Sequence, residues 1–208
     1  MPTSTERLRQ ALYDNAPGFG IELQPEHVTG LRSYYQLLLK WNSKLHLVAP
    51  CSPEEFATRH ILESLLLLSH LPRNARIADV GSGGGLPIVP CLIVREDLRA
   101  IAIESSQKKA VFLREALRGT NSREAAHVMT GRFEEIGAPK VDFVTCRALD
   151  KFQKMLPALV DWAPSGSELL LFAGASLRKE IEELIPPARV YPIPKSERRF
   201  LICAVKGG

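Results

Sequence analysis

The stretch A-D-V-G-S-G-G-G-L-P, residues Ala78 to Pro87, decides the fold class of this 208-residue chain. An apolar run from Ala75 to Val80 leads into five residues, four of them glycine, and a second apolar segment follows and ends at Val94. This order predicts a strand, a glycine turn and the start of a helix. Glycines at such a junction let the backbone turn tightly and let a ligand approach it without a Cβ in the way.

An acidic residue lies at the expected distance downstream of the turn. Leu98 to Ile103 is a second strand-like run, and Glu104 follows it directly. A carboxylate at the tip of the second strand, roughly 20 residues beyond the glycine turn, is typical of a site that binds a ribose diol. The two signals together predict a pocket for an adenosine-containing cofactor.

The turn itself favours a cofactor without phosphate. Its pattern is G-x-G-x-G and not the dinucleotide pattern G-x-G-x-x-G, and Pro87 removes a backbone donor that a phosphate needs. The glycine turn is not followed by the lysine with which phosphate-binding loops hold a nucleoside triphosphate. Asp79 would repel phosphate but could receive an amino group. S-adenosylmethionine, which carries an amino acid, a ribose and a sulfonium, satisfies all three observations.

Helices and then alternating strands and helices are predicted along the chain. The first 70 residues are predicted to be helical over Thr5–Asn15, Pro25–Leu45 and a helix that starts with a Ser52–Glu55 capping box and runs to about Leu68. Beyond them the alternation predicts a parallel α/β sheet whose final strand is antiparallel. The predicted strands are Arg76–Val80, Arg99–Ile103, Ala125–Met129, Val141–Cys146, Glu168–Phe172, Arg189–Ile193 and Phe200–Lys206, with helices at Leu86–Arg95, Ser106–Arg118, Asp150–Ala163 and Leu177–Ile185.

Composition and charge limit the classes of protein. The N-terminus lacks the apolar core of a signal peptide and no apolar run is long enough to span a membrane, so we expect a cytoplasmic protein. The four cysteines are widely spaced, which predicts buried free thiols, although Cys146 beside the predicted pocket strand could be accessible. Residues 189–208 carry five basic residues and one acidic residue, and this basic segment either contacts phosphates or forms a solvated face.

Six blocks of sequence give the chain a family resemblance. They are Trp41–Pro50 (W-N-S-K-L-H-L-V-A-P), Arg59–Leu65 (R-H-I-L-E-S-L), Asp79–Pro87 (D-V-G-S-G-G-G-L-P), Glu104–Leu113 (E-S-S-Q-K-K-A-V-F-L), Gly131–Glu135 (G-R-F-E-E) and Val144–Ala148 (V-T-C-R-A). In this order they resemble the bacterial 16S ribosomal RNA guanine-N7 methyltransferases of the RsmG or GidB type. The match departs from the family pattern at Pro87-Ile88, where Pro-Gly is usual, and at His46-Leu47-Val48, where Asn-Leu-Thr is usual.

The resemblance implies an α/β fold: a Rossmann-like, seven-stranded methyltransferase sheet, residues 71–208, preceded by an N-terminal helical cap, residues 1–70. It also implies S-adenosyl-L-methionine as cofactor, no metal, and 16S ribosomal RNA or the small ribosomal subunit as partner of a monomeric enzyme. The predicted cofactor-binding residues are Asp79, Gly81, Gly83, Leu86, Glu104, Phe133, Glu134 and Arg147. Phe133 and Glu134 are expected to flank the adenine.

Methylation at guanine N7 needs alignment more than proton transfer, because N7 has an in-plane lone pair and no proton to lose. We therefore expect no catalytic triad. Arg147, at the end of the fourth strand, is the predicted catalytic residue, since its guanidinium could orient the base or a phosphate. The alternative for Arg147 is an ion pair with a carboxylate such as Asp150. Arg59 and His60 are either substrate contacts or a structural pair.

Three other functions share parts of this pattern. A methyltransferase for a small molecule would use the same cofactor site with a closed apolar substrate pocket. A non-catalytic module would bind an adenosine ligand without turnover. A nicotinamide dehydrogenase would have to bind a dinucleotide.

Overall fold

The N-terminal part of the chain is helical in the computed structural model, which describes residues 2–120, 125–147, 149 and 152–207. Helix α1 is Ser4–Asn15, and Thr3 and Glu6 cap it reciprocally; a 3-10 turn, Ala16–Phe19, follows. Helix α2 is Pro25–Leu45, as the spacing of its apolar residues predicts. Its buried residues include Tyr34 and Tyr35, which pack in the core as a helix-packing stripe would.

The third helical segment, α3, covers residues 53–70 and is irregular. It runs from α-helix (Pro53–Glu55) through seven residues of π-helix (Phe56–Leu62) and a short α-turn (Glu63–Leu65) to a 3-10 end (Leu66–His70). Only half of the predicted capping box forms, since the Ser52 hydroxyl accepts from the Glu55 amide at 3.1 Å while the Glu55 carboxylate pairs with Arg59 at 3.0 Å. The predicted helix is therefore confirmed, but its backbone departs from α geometry over the π segment.

A seven-stranded sheet forms the rest of the molecule, and it confirms the predicted α/β class. The strands are β1 (Arg76–Val80), β2 (Arg99–Glu104), β3 (Ala126–Thr130), β4 (Phe143–Cys146), β5 (Glu168–Gly174), β6 (Ala188–Pro192) and β7 (Arg199–Val205). Their order is β3-β2-β1-β4-β5-β7-β6. β1 to β5 pair in parallel, and β7 is antiparallel to both of its neighbours, as predicted. Parallel strands bring their carboxyl ends to one edge, and the order in which the strands are added to the sheet reverses between β1 and β4.

Helices connect the parallel strands and cover both faces of the sheet. They are α4 (Ile88–Val94), α5 (Gln107–Arg118), α6 (Phe152–Trp162) and α7 (Ala175–Leu184). The predicted start of α6 at Asp150 lies outside the described residues. Ile88, the departure from the family's Pro-Gly, is the first residue of α4 and is fully buried, so its larger side chain fills space in the core.

Two hydrophobic clusters cover the two faces of the sheet. The larger one joins the N-terminal helices to one face and includes Leu8, Leu38 and Ile77. The smaller one lies under α6 and α7 and includes Val80 and Leu169. Neighbouring residues of β1 therefore point to opposite sides, because side chains alternate along a strand. The predicted domain boundary at residue 70 stays a prediction.

The cysteines form no disulfide among the described residues, as predicted, and Cys91, Cys146 and Cys203 are buried. The expectation that Cys146 is accessible is wrong, because β4 is an interior strand covered on both faces. In the described ranges no helix is long and apolar enough to cross a membrane. Among these same residues, no group of three or more His, Cys, Asp or Glu side chains is arranged to hold a metal ion.

Candidate functional site

A cavity of about 250 Å³ lies at the carboxyl edge of the sheet, beside the glycine turn. Residues after β1, β2, β3 and β4 contribute to its wall, which is where open parallel sheets bind ligands. The lining residues are Val80, Gly81, Ile103, Ser105, Gly131, Arg132, Phe133, Glu134, Leu149 and Met155. The cavity thus contains three of the predicted site residues, namely Gly81, Phe133 and Glu134.

The glycine turn has the backbone that its sequence predicts. Gly81, Gly83 and Gly85 have φ angles of 74°, 51° and 79°, which L side chains rarely adopt. A Cβ on Gly85 would lie 2.5 Å from Val89 Cγ2, so this residue must also be small. The turn is tied to the next strand because the Gly81 and Ser82 amides donate to the Ile103 carbonyl at 2.9 and 3.1 Å.

A tyrosine of the N-terminal helices also holds the turn. The Tyr34 hydroxyl donates to the Gly84 carbonyl at 2.5 Å, and both groups are buried. Burial raises the pKa of Tyr34 well above its usual value, so the hydroxyl keeps its proton and remains a donor. Sequence reasoning assigned Tyr34 to the core and missed this contact, because a helical apolar spacing gives no signal of where a hydroxyl points.

Glu104 lies at the end of β2, as predicted, and its carboxylate faces the turn. One oxygen accepts from the Gly83 amide at 2.9 Å and the other from the Ser106 amide at 2.7 Å, at the start of α5. The residue is only 7% exposed. Oε1 also accepts from the Ser105 hydroxyl at 3.5 Å, whereas Oε2 has a second lone pair and retains one acceptor position. Glu104 therefore fixes the turn and can still accept from a ribose hydroxyl.

Asp79 is buried beneath the turn, on the face of β1 opposite to Val80. It is 1% exposed, and neither carboxyl oxygen has a hydrogen-bond partner among the described residues. The nearby Ser82 hydroxyl donates to the Asp79 carbonyl at 2.9 Å and not to the carboxyl group. Burial, together with the Glu104 carboxylate, raises the pKa of Asp79 to about 7. A buried carboxyl group without donors is costly, and it calls for a ligand that brings them.

The predicted residues for the adenine end lie in the cavity wall, and Leu86 lies elsewhere. Phe133 is buried and packs edge-on against Trp162, with ring centroids 5.7 Å apart. The Glu134 carboxylate is exposed and pairs with Arg132 at 2.9 Å. Leu86 packs, half-buried, against the cluster on the helical-cap side. Phe133 and Glu134 thus share the cavity, and Leu86 follows the turn on the other face.

Arg147 projects from the end of β4 toward α3. Its Nη1 donates to the His60 carbonyl at 3.2 Å and the Ser64 hydroxyl at 3.1 Å, and its Nη2 donates to the Arg59 carbonyl. The ion pair that sequence analysis offered as the alternative forms with Glu63, at 3.4 Å, while Asp150 lies outside the described residues. The terminal N–H groups of Arg147 therefore hold the helical cap against the sheet.

Glu63 is the centre of this cluster, and sequence reasoning missed it. Its second oxygen pairs with Arg199 Nη2 at 2.8 Å, and its side chain is 3% exposed. Burial raises the pKa of Glu63, while the arginines oppose that shift. Burial and the same arginines lower the pKa of His60 to about 3, so its imidazole is neutral. One acidic residue within the apolar run Ile61–Leu68 was the available signal, because buried acids are nearly always paired.

The basic C-terminal segment separates into two groups in the structure. Arg199 pairs with Glu63 and Lys195 donates to Asn15 at the carboxyl edge, whereas Arg189 pairs with Glu168 at 2.5 Å at the opposite edge. Lys206, also far from the turn, donates to the Asp161 and Ala163 carbonyls at 2.6 Å. The segment is therefore not one phosphate-binding surface, because a hairpin carries its charges to both ends of the sheet.

Comparison of the sequence with known protein families identifies the family of this chain. Residues 27–190 match the family model GidB, described as rRNA small subunit methyltransferase G. The chain belongs to the rRNA small subunit methyltransferase G family. The ribosomal RNA small subunit methyltransferase G of Xanthomonas campestris is 36% identical over 163 residues, covering 78% of this chain and 76% of that protein. The protein of the same name from Nitrobacter winogradskyi is 36% identical over 157 residues, which cover 74% of this chain and 57% of that protein.

A solved structure supports the fold of the family member. An O-methyltransferase from Bacillus cereus in complex with SAH superposes with a TM-score of 0.56 at 19% identity, covering 84% of this chain and 91% of that one. At this identity the likeness concerns the fold alone. It confirms the Rossmann-like methyltransferase architecture that the sequence resemblance implied.

Proposed function

We propose that this protein transfers a methyl group from S-adenosyl-L-methionine to N7 of a specific guanine in 16S ribosomal RNA. The observation that carries the proposal is the buried Asp79 carboxyl group, without a donor, under a glycine turn in a member of this family. The proposal includes a helical cap at residues 1–70, a cofactor-binding domain at 71–208 and action as a cytoplasmic monomer.

The residues at the turn fit this cofactor. Its ammonium group would supply the donors that the Asp79 carboxyl group lacks, and its ribose would donate to Glu104. Gly81 and Gly83 let it lie against the backbone, and Leu86 packs the turn from the other face. Phe133 and Glu134 would flank the adenine in the cavity. A diphosphate fits poorly, because two carboxyl groups lie at the turn and repel it.

In this reaction the residues of the site have to align the reacting groups and to exclude water. When bound, the cofactor would supply an electrophilic methyl group on a sulfonium, which guanine N7 could accept without losing a proton while S-adenosylhomocysteine leaves. Holding both in line can contribute roughly 7–11 kcal/mol in favourable cases. The proposed role of Arg147 is positioning, since its terminal N–H groups contact the helical cap. It would keep the helical cap over the carboxyl edge where the guanine has to enter.

RNA should bind mainly through its phosphates, and the guanine has to be unstacked to reach the methyl group. Affinity for RNA should therefore fall steeply as salt rises. The exposed Arg198, in the loop at the carboxyl edge, is a candidate for phosphate contacts. RNA affinity that does not change with salt would contradict this part of the proposal.

Calorimetry with S-adenosylhomocysteine and with NAD tests the cofactor, and we expect binding of the first alone. Transfer of labelled methyl from the cofactor to small ribosomal subunits, naked ribosomal RNA or metabolite pools then tests the substrate. Label in a metabolite would indicate a small-molecule methyltransferase. Cofactor binding without label in any pool would indicate a non-catalytic module. Mapping of 7-methylguanine on ribosomal RNA from cells with and without the protein identifies the nucleotide.

A further inference from the structure

One buried carboxylate joins three distant parts of the chain. Glu63, on α3, gives one oxygen to Arg147 at the end of β4 and the other to Arg199 at the start of β7. The Arg147 and Arg199 side chains are 13% and 33% exposed, so water screens these ion pairs only weakly. Removal of the carboxylate would leave two guanidinium groups facing each other without a counter-ion between them.

The π-helix creates the acceptors that Arg147 uses. In the π segment the Glu63 amide bonds to the Thr58 carbonyl, five residues back, instead of to the Arg59 carbonyl that a regular α-helix would use. The Arg59 carbonyl accepts from Arg147, and so does the next one, at His60. The π segment and the Arg147 guanidinium therefore depend on each other. The Glu63 carboxylate holds the guanidinium in place against these carbonyls.

The cluster is also linked to the cavity through Leu149, and to the hairpin at the same edge through Arg199. Leu149, two residues after Arg147, lines the cavity, and its Cδ1 lies 2.8 Å from the position that a Cβ on Gly81 would take. Arg199 is oriented a second time by the Ser196 hydroxyl, which accepts from its Nε at 3.0 Å. A shift of Arg147 would thus move the chain that forms the cavity wall, and a shift of Arg199 would loosen the hairpin at the same edge.

We infer that Glu63 is a positioning residue for methyl transfer, which holds Arg147 and Arg199 so that α3 and the wall at Leu149 keep one arrangement around the reacting groups. The inference rests on the proposed function for its kinetic part. Glu63 itself would contact neither the cofactor nor the RNA. Loss of the carboxylate should therefore affect the rate of transfer more than the affinity for the cofactor.

The test compares Glu63→Gln with the wild type in single-turnover methyl transfer at saturating cofactor and small ribosomal subunit. We expect a rate at least tenfold lower, with the affinity for S-adenosylhomocysteine changed less than threefold. Glu168→Gln is the matched control, because it removes a largely buried carboxylate paired with Arg189 at the opposite edge, and its rate should equal that of the wild type. Arg199→Lys, which keeps the charge but loses the planar geometry, covers the case in which Glu63→Gln does not fold.

Two further measurements separate positioning from general stability. In an Arg147→Lys background, Glu63→Gln should lower the rate by a smaller factor than it does in the wild type, since part of its effect acts through Arg147. Hydrogen exchange at amides 59–65, measured without any substrate, should accelerate at least tenfold in Glu63→Gln and stay unchanged in Glu168→Gln. Unchanged exchange, or rate losses that multiply in the double variant, would overturn the inference. A wild type that transfers no methyl group would overturn the proposed function, while the exchange result would still decide the role of Glu63.

Discussion

Without cofactor, the Asp79→Asn variant should be more stable than the wild type, by a margin that grows as the pH rises. The folded protein keeps the Asp79 proton up to about pH 7, while the unfolded chain releases it near the usual value of 3.8. Between these values the unfolded state binds fewer protons, so the free energy of unfolding of the wild type falls with rising pH. One pKa unit is worth about 1.4 kcal/mol, so the total loss by pH 7 is about 4 kcal/mol. The asparagine side chain of the variant does not titrate and does not contribute this loss.

Urea unfolding of the wild type and of Asp79→Asn, without cofactor, measures the effect between pH 4.5 and 8. The difference in unfolding free energy should move in favour of Asp79→Asn by about 1.4 kcal/mol per pH unit and level off above pH 7. Asp142→Asn is the control whose difference from the wild type should stay nearly constant over this range. The Arg76 guanidinium lowers the pKa of Asp142, so the stability that this carboxylate adds is present above the unfolded value of 3.8 and is lost only below it.

The same variant should lose the cofactor. At pH 8, S-adenosylhomocysteine at a hundred times its Kd stabilises a protein that binds it by about 2.7 kcal/mol, and Asp79→Asn should lack this gain at the same concentration. A difference in stability that stays constant with pH would refute the buried, unpaired carboxyl group. Undiminished cofactor affinity would refute its role as partner of the ammonium group.

Three further substitutions test the turn. Gly85→Ala should cost more than about 2 kcal/mol in urea unfolding, because its Cβ would lie 2.5 Å from a valine methyl, whereas Gly166→Ala, with the same left-handed backbone and free space, should cost about 1 kcal/mol. Equal costs would argue against the close packing of the turn. Tyr34→Phe should cost about 1–3 kcal/mol, since it leaves the Gly84 carbonyl buried and unpaired, and Tyr35→Phe, whose hydroxyl has no hydrogen bond among the described residues, should cost less than about 1 kcal/mol. Glu104→Gln should weaken S-adenosylhomocysteine binding at least tenfold in calorimetry, because an amide cannot accept from both backbone N–H groups; a wild-type Kd would exclude a role for the carboxylate at the cofactor.

Local signals in the sequence predicted most of the fold. The glycine turn, the alternation of strands and helices and the antiparallel last strand depend on neighbouring residues, and the structure has all three. The positions of Glu104 and Asp79 beside the turn were predictable for the same reason, since each lies at a fixed distance from it, and their roles at the cofactor stay predictions. The π segment was not predicted, because the guanidinium that bonds to its Arg59 carbonyl comes from Arg147, 88 positions along the chain.

Long-range pairing explains the remaining differences. Glu63 and Arg199 are 136 residues apart (199 minus 63), and no periodicity in the chain relates them. The charge at residues 189–208 was counted as one segment, but a hairpin reverses direction within it and places Arg189 and Arg199 at opposite edges. Charge summed along a sequence therefore predicts a surface only where the chain does not turn.

The larger hydrophobic cluster, which extends from Leu8 to Cys203, has a consequence for engineering and for evolution. Because the N-terminal helices and the sheet fill one continuous interior, a chimera that takes its first 70 residues from a relative would bring together two halves of mismatched shape. We expect such hybrids to fold only when Leu38, on the helical side of this interior, and Ile77, on the sheet side, come from the same parent together with the residues packed around them.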